Sequence, residues 1–369
     1  MRAAVYHGRG DIRVATVPDP VIGLGELLIE VRICGVCGTD AAEFAHGPTM
    51  LPIQTRHRAS GHLGPMIPGH ELAGRVVARA TDVEGFAEGQ WVVSGAGVWC
   101  GDCRRCRAGR ANLCLDYWTV GLQRHGGLAE LCAVPAITCL AAEPYGLEGD
   151  VFGIAQPMSI AVHSLRRGRS GAGETAVVIG VGGIGAFLVH ALARTGLRVV
   201  VSDLDERRRE LARNLGAEVA LDPAEASPAD VLREADMEAD VVFEVTGSAA
   251  GLQAAIDALS PAARLVAVGL HERPRELDLR PLTLREHEVI GTNAHVCQDD
   301  LPEAMRLLAE HTGDWRDVAP RALSLDRLVE DALVPLAEGR SLRIKTLIDP
   351  WATEARDTRM PAPLRPAAD

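Results

Sequence analysis

The segment at residues 174–203 constrains the fold more than any other part of this 369-residue chain. It reads as a buried strand (174–180), a helix that ends at a glycine (184–196) and a second buried strand (198–203). The turn between the first strand and the helix is GVGGIG, and Asp203 closes the second strand. A strand, a crossover helix and a further strand form a right-handed parallel unit, so the segment predicts an α/β domain.

The same segment carries the fingerprint of a dinucleotide-binding fold. Its glycines permit a tight turn and a close approach of pyrophosphate to the N–H groups at the start of the helix. Asp203 is expected to bind the adenosine ribose and to repel a 2′-phosphate, which favours NAD over NADP, although the arginines at 207–209 can hold such a phosphate. Stretches at 239–248 and 263–271 read as later strands of one doubly wound sheet. The predicted cofactor contacts are Gly180, Val181, Gly182, Gly183, Ile184, Gly185, Asp203, Arg208, Val268 and Leu270.

Four cysteines lie close together in CGDCRRCRAGRANLC, at Cys100, Cys103, Cys106 and Cys114. Thiols three residues apart can converge on one ion from a turn, and four thiolates complete a closed tetrahedral zinc site that leaves no place for substrate. The chain has nine cysteines, an odd number, and metal binding explains them better than disulfides do. A redox cluster, chance crowding and an iron–sulfur cluster are the alternatives. The spacing favours a structural zinc that organises a loop.

Two other fragments predict a second, more open metal site. GVCGTD contains Cys37, and IPGHELAG contains His70 and Glu71. A thiolate, an imidazole and a carboxylate together can hold zinc, and three protein ligands leave a fourth position for water or substrate. A single buried Cys or His is more often a core residue, and it is the four-cysteine loop nearby that favours the metal.

Taken together, these motifs resemble the zinc-dependent medium-chain dehydrogenase/reductase family, the alcohol dehydrogenase-like one. The markers are the Cys37 fragment, GHELAG, the four-cysteine loop, GGLAELCAVP (126–135) and GVGGIG with Asp203. The long insert before GHE, at 47–71, looks most like the polyol and butanediol dehydrogenase branch.

The resemblance implies a layout of two domains. A GroES-like β-rich catalytic domain is expected at 1–160, with 296–348 returning to it, and a Rossmann NAD-binding domain at 161–295. The family places the active site between the two, binds two zinc ions per chain, one catalytic and one structural, and forms homodimers or homotetramers. Residues 349–369 fall outside the resemblance and are expected to form a flexible tail, because the final stretch is rich in proline.

One departure from the family concerns the catalytic metal. Family members carry an acid or a cysteine just before the nucleotide domain, typically in a Glu-Pro pair, whereas this chain has Gln156 before Pro157. Gln156 is therefore a weaker candidate ligand than Cys37, His70 and Glu71. Losing a carboxylate leaves the metal more positive, which lowers the pKa of bound water or alcohol and weakens zinc retention. Alternatively, the three other ligands and water suffice.

The second and third departures concern the proton path and the pocket. The family relays the substrate proton from a Ser or Thr hydroxyl to a His five residues after the cysteine. Thr39 matches the hydroxyl, but Ala42 stands at the histidine position. Water, His46 or His125 would have to complete the relay, since general acid–base catalysis contributes about 10²–10⁴-fold. His295 lies where polyol-type members place polar pocket residues, and it is equally compatible with a packed or solvent-bonded His.

Composition limits the partners. A formal net charge of −12 and a pI of about 5.5 argue against nucleic acid or an anionic membrane as the main partner. The stretch 175–193 is long enough to cross a bilayer, but its glycines fit the nucleotide-binding pattern instead. The first twenty residues lack the apolar core of a secretory signal, so a cytoplasmic location is expected.

The sequence therefore predicts an enzyme that transfers a hydride between NAD(H) and a secondary alcohol, a diol or a polyol, or the matching ketone. Thr39 would exchange the hydroxyl proton, while Cys37, His70 and Glu71 hold the zinc. One alternative is a specialised biosynthetic reductase of the same fold that acts on an iminium or a conjugated carbonyl, because such a substrate needs little proton traffic. The other is a non-catalytic dinucleotide-binding protein with a structural zinc.

Overall fold

The computed structural model describes residues 1–360 and divides the chain into two compact units. The first unit comprises Met1–Ser159 and the segment from His295 onward, and the second comprises Ile160–Ala294. These boundaries lie one residue from the domain boundaries that the sequence suggests.

The first part of the first unit is rich in strands. In chain order its strands are β1 (Arg2–Gly8), β2 (Asp11–Thr16), β3 (Glu26–Val36), β4 (Glu71–Arg79), β5 (Trp91–Ser94), β6 (Gly97–Val98), β7 (Trp118–Thr119), β8 (Leu131–Pro135) and β9 (Cys139–Ala141). Its helices are α1 (Gly38–His46) and α2 (Arg104–Arg107). A 3₁₀ turn at Gly149–Ile154 leads into α3 (Ala155–Arg167), which begins in the first unit and continues into the second. Buried side chains alternate with more exposed ones in the middle of β3 and in the second half of β4, as expected for strands that cover a core on one face.

The second unit is a six-stranded parallel sheet with helices between its strands. The strands are β10 (Thr175–Ile179), β11 (Arg198–Ser202), β12 (Val219–Leu221), β13 (Val241–Glu244), β14 (Arg264–Ala267) and β15 (Glu288–Gly291). The helices are α4 (Gly185–Arg194), α5 (Glu206–Asn214), α6 (Pro228–Glu234), α7 (Ala249–Asp257) and α8 (Leu279–Leu284).

The strand order in this sheet is β12-β11-β10-β13-β14-β15, and every neighbouring pair is parallel. The chain first builds the sheet outward from β10 to β12 and then restarts at β13 on the other side of β10. Ligands of open α/β sheets bind beyond the carboxyl ends of the strands at such a reversal. Ile179 and Glu244 are the last residues of the two strands that meet there.

The chain then returns to the first unit. The elements are α9 (Cys297–Ala309), β16 (Arg321–Leu323), α10 (Val334–Ala337), β17 (Thr346–Ile348) and β18 (Arg356–Asp357). An eight-stranded mixed sheet has the order β18-β16-β17-β3-β4-β5-β9, with β8 paired to β3. The returning strand β17 lies against β3, where Thr346 pairs with Val36. This pairing brings residues 346–348 beside the fragment that contains Cys37.

The expectation of a flexible tail from residue 349 is wrong for residues 349–360. There β18 pairs antiparallel with β16, and the Arg356 guanidinium donates to both carboxylate oxygens of Asp150 at 2.6 and 2.9 Å. The indole N–H of Trp351 also donates to the carbonyl of Val31 at 2.9 Å. Most of the prolines lie after the residues that make these contacts, and composition alone did not reveal the contacts. Residues 361–369 of the predicted tail lie outside the described residues.

The fold class is confirmed: a β-rich unit is combined with a doubly wound parallel sheet. The stretch at 175–193 contributes β10 and most of α4. Among residues 1–360, no helix is both long enough and apolar enough to cross a membrane.

Candidate metal and cofactor sites

Two neighbouring strands bring Cys37, His70 and Glu71 together. Cys37 follows β3 directly and precedes the first turn of α1, while Glu71 opens β4 and pairs with Gly35 across the sheet. One potential ligand atom from each of the three side chains lies within 4.8 Å of the others. His70 and Glu71 are buried, at 5% and 1% exposure, and Cys37 is partly exposed. The arrangement is compact enough for a single ion and open on the cysteine side.

Gly35 provides the space that the carboxylate of Glu71 occupies. A Cβ added at Gly35 would lie 2.1 Å from Glu71 Oε2, which is closer than nonbonded atoms can approach. Within residues 1–360, this buried oxygen has no hydrogen-bond partner. Because an unpaired buried carboxylate oxygen is costly, this oxygen is well suited to bind a cation.

Two residues that sequence reasoning missed surround these three. The Asp40 carboxylate accepts the Cys37 backbone N–H at 2.9 Å, and its other oxygen lies 3.6 Å from His70 Nδ1, slightly beyond hydrogen-bond range. The buried ammonium of Lys345 lies 2.7 Å from Glu71 Oε1 and donates to the Val36 carbonyl at 3.3 Å. Asp40 could have been predicted from the sequence, because a carboxylate often orients a metal-binding histidine. Lys345 was not, because it lies 274 residues after Glu71.

The electrostatics of the cluster favour positive charge. Burial lowers the pKa of His70, but Asp40 and Cys37 outweigh burial and hold that pKa well above its ordinary value. Burial likewise opposes the charge of Lys345, yet Glu71 and Cys37 raise its pKa above the usual range. A cluster that stabilises an imidazolium and an ammonium also favours a metal cation. Sulfur, imidazole nitrogen and carboxylate oxygen are the donors that zinc takes.

The four-cysteine loop forms a second cluster. The Sγ–Sγ distances are 3.4 Å for Cys100–Cys114, 3.6 Å for Cys103–Cys106, 3.9 Å for Cys103–Cys114 and 4.0 Å for Cys100–Cys106. Tetrahedral zinc with Zn–S bonds of about 2.3 Å requires sulfurs about 3.8 Å apart, so the four thiols fit that ion.

Backbone N–H groups lower the pKa of Cys100 and Cys103 and so favour their thiolates, whereas burial raises the pKa of Cys106 and Cys114. The N–H of Cys103 points at Cys100 Sγ at 3.3 Å, and the N–H of Asp116 points at Cys114 Sγ at 3.4 Å. The backbone N–H of Cys106 is the main cause that lowers the pKa of Cys103 to about 6. Charge-assisted N–H···S contacts of this kind stabilise the deprotonated form that binds metal.

The glycine turn lies at the carboxyl end of β10 and opens α4. Gly180 has a φ of 96°, and a Cβ at Gly185 would lie 2.0 Å from the Gly180 carbonyl oxygen, so neither position admits a side chain. At Gly182, by contrast, an added Cβ would meet nothing within 4 Å. The turn therefore leaves a cradle beside the helix start, of the kind in which pyrophosphate binds.

Asp203 lies one residue beyond β11, with 8% of its surface exposed. One carboxylate oxygen accepts the Val181 N–H at 2.7 Å, and the other accepts the Asp205 N–H at 2.9 Å. The Arg208 guanidinium lies 4.0 Å from the same carboxylate. Asp203 is thus fastened to the glycine turn, and its remaining lone pairs are available to hydroxyl donors.

The other predicted residues lie on several different elements. Val268 and Leu270 follow β14, and Leu270 is 87% exposed. Gln156 is buried in the first turn of α3. Thr39 Oγ1 lies 3.8 Å from Cys37 Sγ, next to the cluster of Cys37, His70 and Glu71. His295 is buried beside Gly95, where an added Cβ would lie 2.7 Å from its Nε2.

The proton path gains little from its other two candidates. The first candidate, His46, is exposed at the end of α1, the helix that also carries the exposed Ala42. The Nδ1 atom of His125 accepts the backbone N–H of Ile67 at 3.1 Å, so one of its two ring nitrogens is already engaged.

Comparisons with known proteins cover both units. Residues 23–144 match the alcohol dehydrogenase GroES-like domain, and residues 183–310 match the zinc-binding dehydrogenase domain. The chain is 30% identical over 355 residues to (R,R)-butanediol dehydrogenase of Neisseria gonorrhoeae, an alignment that covers 95% of this chain and 99% of that protein.

Solved structures agree. The crystal structure of 2R,3R-butanediol dehydrogenase from Bacillus subtilis superposes with a TM-score of 0.86 at 26% identity, covering 95% of this chain and 99% of that one. A zinc-binding dehydrogenase of Sinorhizobium meliloti, bound to NADP, superposes with a TM-score of 0.83 at 25% identity over the same shares.

Proposed function

The chain belongs to the zinc-dependent medium-chain dehydrogenase/reductase family, in its polyol and butanediol branch, and from this premise we propose its reaction in detail. It is an oxidoreductase that acts on CH–OH groups of alcohols or polyols. The finer proposal is reversible oxidation of a secondary alcohol or a vicinal diol to the ketone, with NAD as the hydride acceptor and two zinc ions per chain.

The observation that carries the proposal is the cluster of Cys37, His70 and Glu71. Three donor atoms within 4.8 Å, one of them on a partly exposed side chain, suit a metal that keeps a position open for substrate. The four-cysteine loop offers four thiols, which fill a tetrahedral site, and we assign it the structural zinc. When bound, the catalytic zinc polarises the substrate oxygen and the nicotinamide exchanges hydride with the carbon.

The chain's own residues hold the ligands and manage protons around that chemistry. Asp40 orients the first turn of α1 through the Cys37 N–H and supports the ring of His70 electrostatically. The ammonium of Lys345 balances one oxygen of Glu71 and leaves the other for the metal. Thr39 is placed beside Cys37 to hold the substrate hydroxyl proton. Since Ala42 cannot pass the proton on, we propose that water completes the path.

We assign NAD rather than NADP as the preferred cofactor. The Asp203 carboxylate at the end of β11 favours ribose hydroxyls and disfavours a 2′-phosphate. Arg208, 4.0 Å from that carboxylate, is paired with Asp203 and less available to an added phosphate. The Sinorhizobium meliloti relative bound to NADP shows that the fold also admits NADP, so the preference for NAD in this chain rests on these two side chains.

A small-molecule alcohol or ketone is the substrate that the relatives support. They include butanediol dehydrogenases and a 2-dehydro-3-deoxy-L-galactonate 5-dehydrogenase. These reactions do not favour the alternative of a reductase for an iminium or a conjugated carbonyl. The altered Gln156 and Ala42 positions are compatible with alcohol chemistry, provided that Thr39 and water handle the proton.

We also propose that the protein forms a homodimer or homotetramer and works in the cytoplasm. Strand β15 forms one edge of the parallel sheet, with Val289 at 46% exposure, and Leu284 in the preceding helix is 72% exposed. An edge strand with apolar neighbours is a surface that a second copy can cover. All nine cysteines are free thiols, which suits a reducing compartment.

The experiment that tests the proposal combines metal analysis with turnover. Purified protein should contain two zincs per chain, reduce NAD faster than NADP and oxidise at least one vicinal diol from a panel of stereoisomers. Inactivity across diols, polyols and secondary alcohols, with both zincs present, would contradict the proposed substrate class. Equal rates with NAD and NADP would contradict the cofactor assignment alone.

A further inference from the structure

A buried carboxylate that the reaction does not use lies where the parallel sheet reverses its strand order. Glu244 is the last residue of β13, is 0% exposed and lies beside the carboxyl end of β10. A fully buried carboxylate requires several hydrogen-bond donors to remain charged. Its donors are the backbone N–H groups of Thr246 and Gly247, at 2.7 and 3.0 Å, the Thr246 hydroxyl at 2.5 Å and the imidazole of His271 at 3.2 Å.

The first group of contacts connects Glu244 to the glycine turn. The donors on Thr246 hold that residue in the loop after β13, and a Cβ added at Gly180 would lie 2.6 Å from Thr246 Cγ2. Thr246 is therefore packed against the first glycine of the turn. A shift of Thr246 would change the shape of the cradle that we assign to pyrophosphate.

The second group of contacts connects Glu244 to the segment after β14. The backbone carbonyl of Glu244 accepts the N–H groups of Val268 and Gly269, both at 2.9 Å. Its side chain holds His271 two residues later, and a Cβ at Gly247 would lie 2.4 Å from the Leu270 carbonyl oxygen. The loops after β13 and β14 are thus in direct contact, with Glu244 between them.

The imidazole has a defined tautomer in this arrangement. The Arg275 Nε–H points at His271 Nδ1 at 3.3 Å, so Nδ1 accepts and Nε2 carries the proton that is donated to Glu244. The side chain of His271 is 17% exposed, and that of Glu244 is fully buried. A hydrogen bond to a buried charge is among the stronger ones in proteins, and it is lost completely when the donor is removed.

We propose that Glu244 and His271 are positioning residues of the cofactor site, which fix the loops after β13 and β14 against the glycine turn and so set the affinity for the dinucleotide. The inference rests on the proposed function only in requiring that this sheet edge bind NAD(H). Neither residue needs to touch the reacting carbon. Their contribution is to present a cradle that is already ordered before the cofactor binds, which removes an ordering cost from binding.

The test measures NADH binding to the intact, zinc-loaded protein by nicotinamide fluorescence, so that the readout does not depend on turnover. His271→Ala removes the donor to Glu244 and should weaken NADH binding about tenfold or more. His271→Gln retains an N–H donor on a side chain of similar reach and should recover most of the affinity. Glu272→Gln, a change at the exposed neighbouring residue, should bind NADH like the wild type.

Steady-state kinetics add a second readout. A positioning role that affects binding uniformly should raise KM for NAD in His271→Ala while kcat at saturating NAD stays near the wild-type value. A purely structural role would instead lower thermal stability and kcat together, and His271→Gln would not rescue them.

The outcomes separate the two proposals. Wild-type protein that binds neither NADH nor NADPH would overturn the proposed function, and this inference with it. A folded His271→Ala variant that binds NADH as tightly as the wild-type protein would overturn this inference alone. A loss of affinity in His271→Ala that His271→Gln fails to restore would also overturn it, because the donated hydrogen bond would not be the cause.

Discussion

Lys345→Met should reveal how strongly the metal cluster depends on its buried ion pair. Lys345 and Glu71 are 3% and 1% exposed at the side chain, and their charged atoms are 2.7 Å apart. Methionine has a similar length and fills the same volume without the charge. Because Glu71 Oε2 already lacks a hydrogen-bond partner among residues 1–360, the variant leaves the whole carboxylate without its counter-charge.

The magnitude follows from that uncompensated charge. Removing one partner of a buried pair costs about 3–5 kcal/mol, and this pair is among the most buried of the described ion pairs, so we expect a loss of about 4 kcal/mol when the catalytic zinc is absent. Zinc supplies a replacement charge. If it restores about half of the loss, the zinc affinity of the variant must rise about thirtyfold, since the two effects are thermodynamically linked.

The assay compares wild type and Lys345→Met by urea unfolding at two fixed zinc contents, one and two ions per chain. The double variant Glu71→Gln/Lys345→Met removes both charges and is the matched control, which should recover much of the stability lost at one zinc per chain. A free energy of unfolding for Lys345→Met within about 1 kcal/mol of the wild-type value at both zinc contents would contradict this expectation, because a buried unpaired carboxylate costs more than that.

Three further changes test other parts of the account. Gln156→Glu adds a carboxylate at the start of α3, so it should slow zinc loss to a chelator and change the rate of alcohol oxidation. Unchanged zinc content and an unchanged rate would contradict the role given to this position. Arg356→Ala should lower the free energy of unfolding by about 2 kcal/mol, because Asp150 is buried and loses two charged hydrogen bonds. A change near zero in urea unfolding would show that residues 349–360 contribute little to stability. Burial lowers the pKa of His125 from 6.5 to about 4, so on acidification the unfolded chain binds the proton before the folded chain does, and the free energy of unfolding should fall as the pH drops from about 6.5 toward 4. The control His125→Asn keeps an acceptor for the Ile67 N–H but does not titrate. An equally steep fall in that variant would contradict the assignment to His125.

The sequence was most informative where a function depends on local spacing. GVGGIG followed by a helix, a strand and Asp203 predicted the strand-turn-helix arrangement that the structure has, because a phosphate cradle needs those residue types in that order. The four-cysteine loop was equally readable, since its sulfurs are brought together by one short turn. The fragments around Cys37 and His70 were weak signals singly, and it was the four-cysteine loop nearby that favoured a metal site there.

The remainder depends on distant contacts that leave no local pattern. Lys345 meets Glu71 because β17 returns beside β3, and a lone lysine near the end of the chain gave no sign of this. Composition suggested a mobile tail, whereas Arg356 pairs with a buried aspartate 206 residues earlier. The role of Glu244 was likewise hidden, because a single acid at the end of a strand is not a motif until the loop that carries His271 is placed beside it.

The most direct test of the proposed catalytic metal site is the zinc content and turnover of Cys37→Ser, measured beside Cys139→Ser as a control at a half-buried thiol outside both clusters. We expect two zincs per chain in wild type and in the control, and one zinc with turnover abolished in Cys37→Ser. A Cys37→Ser protein that keeps two tightly bound zincs and oxidises alcohol at the wild-type rate would contradict it, because the reaction would then not depend on a metal held by this residue.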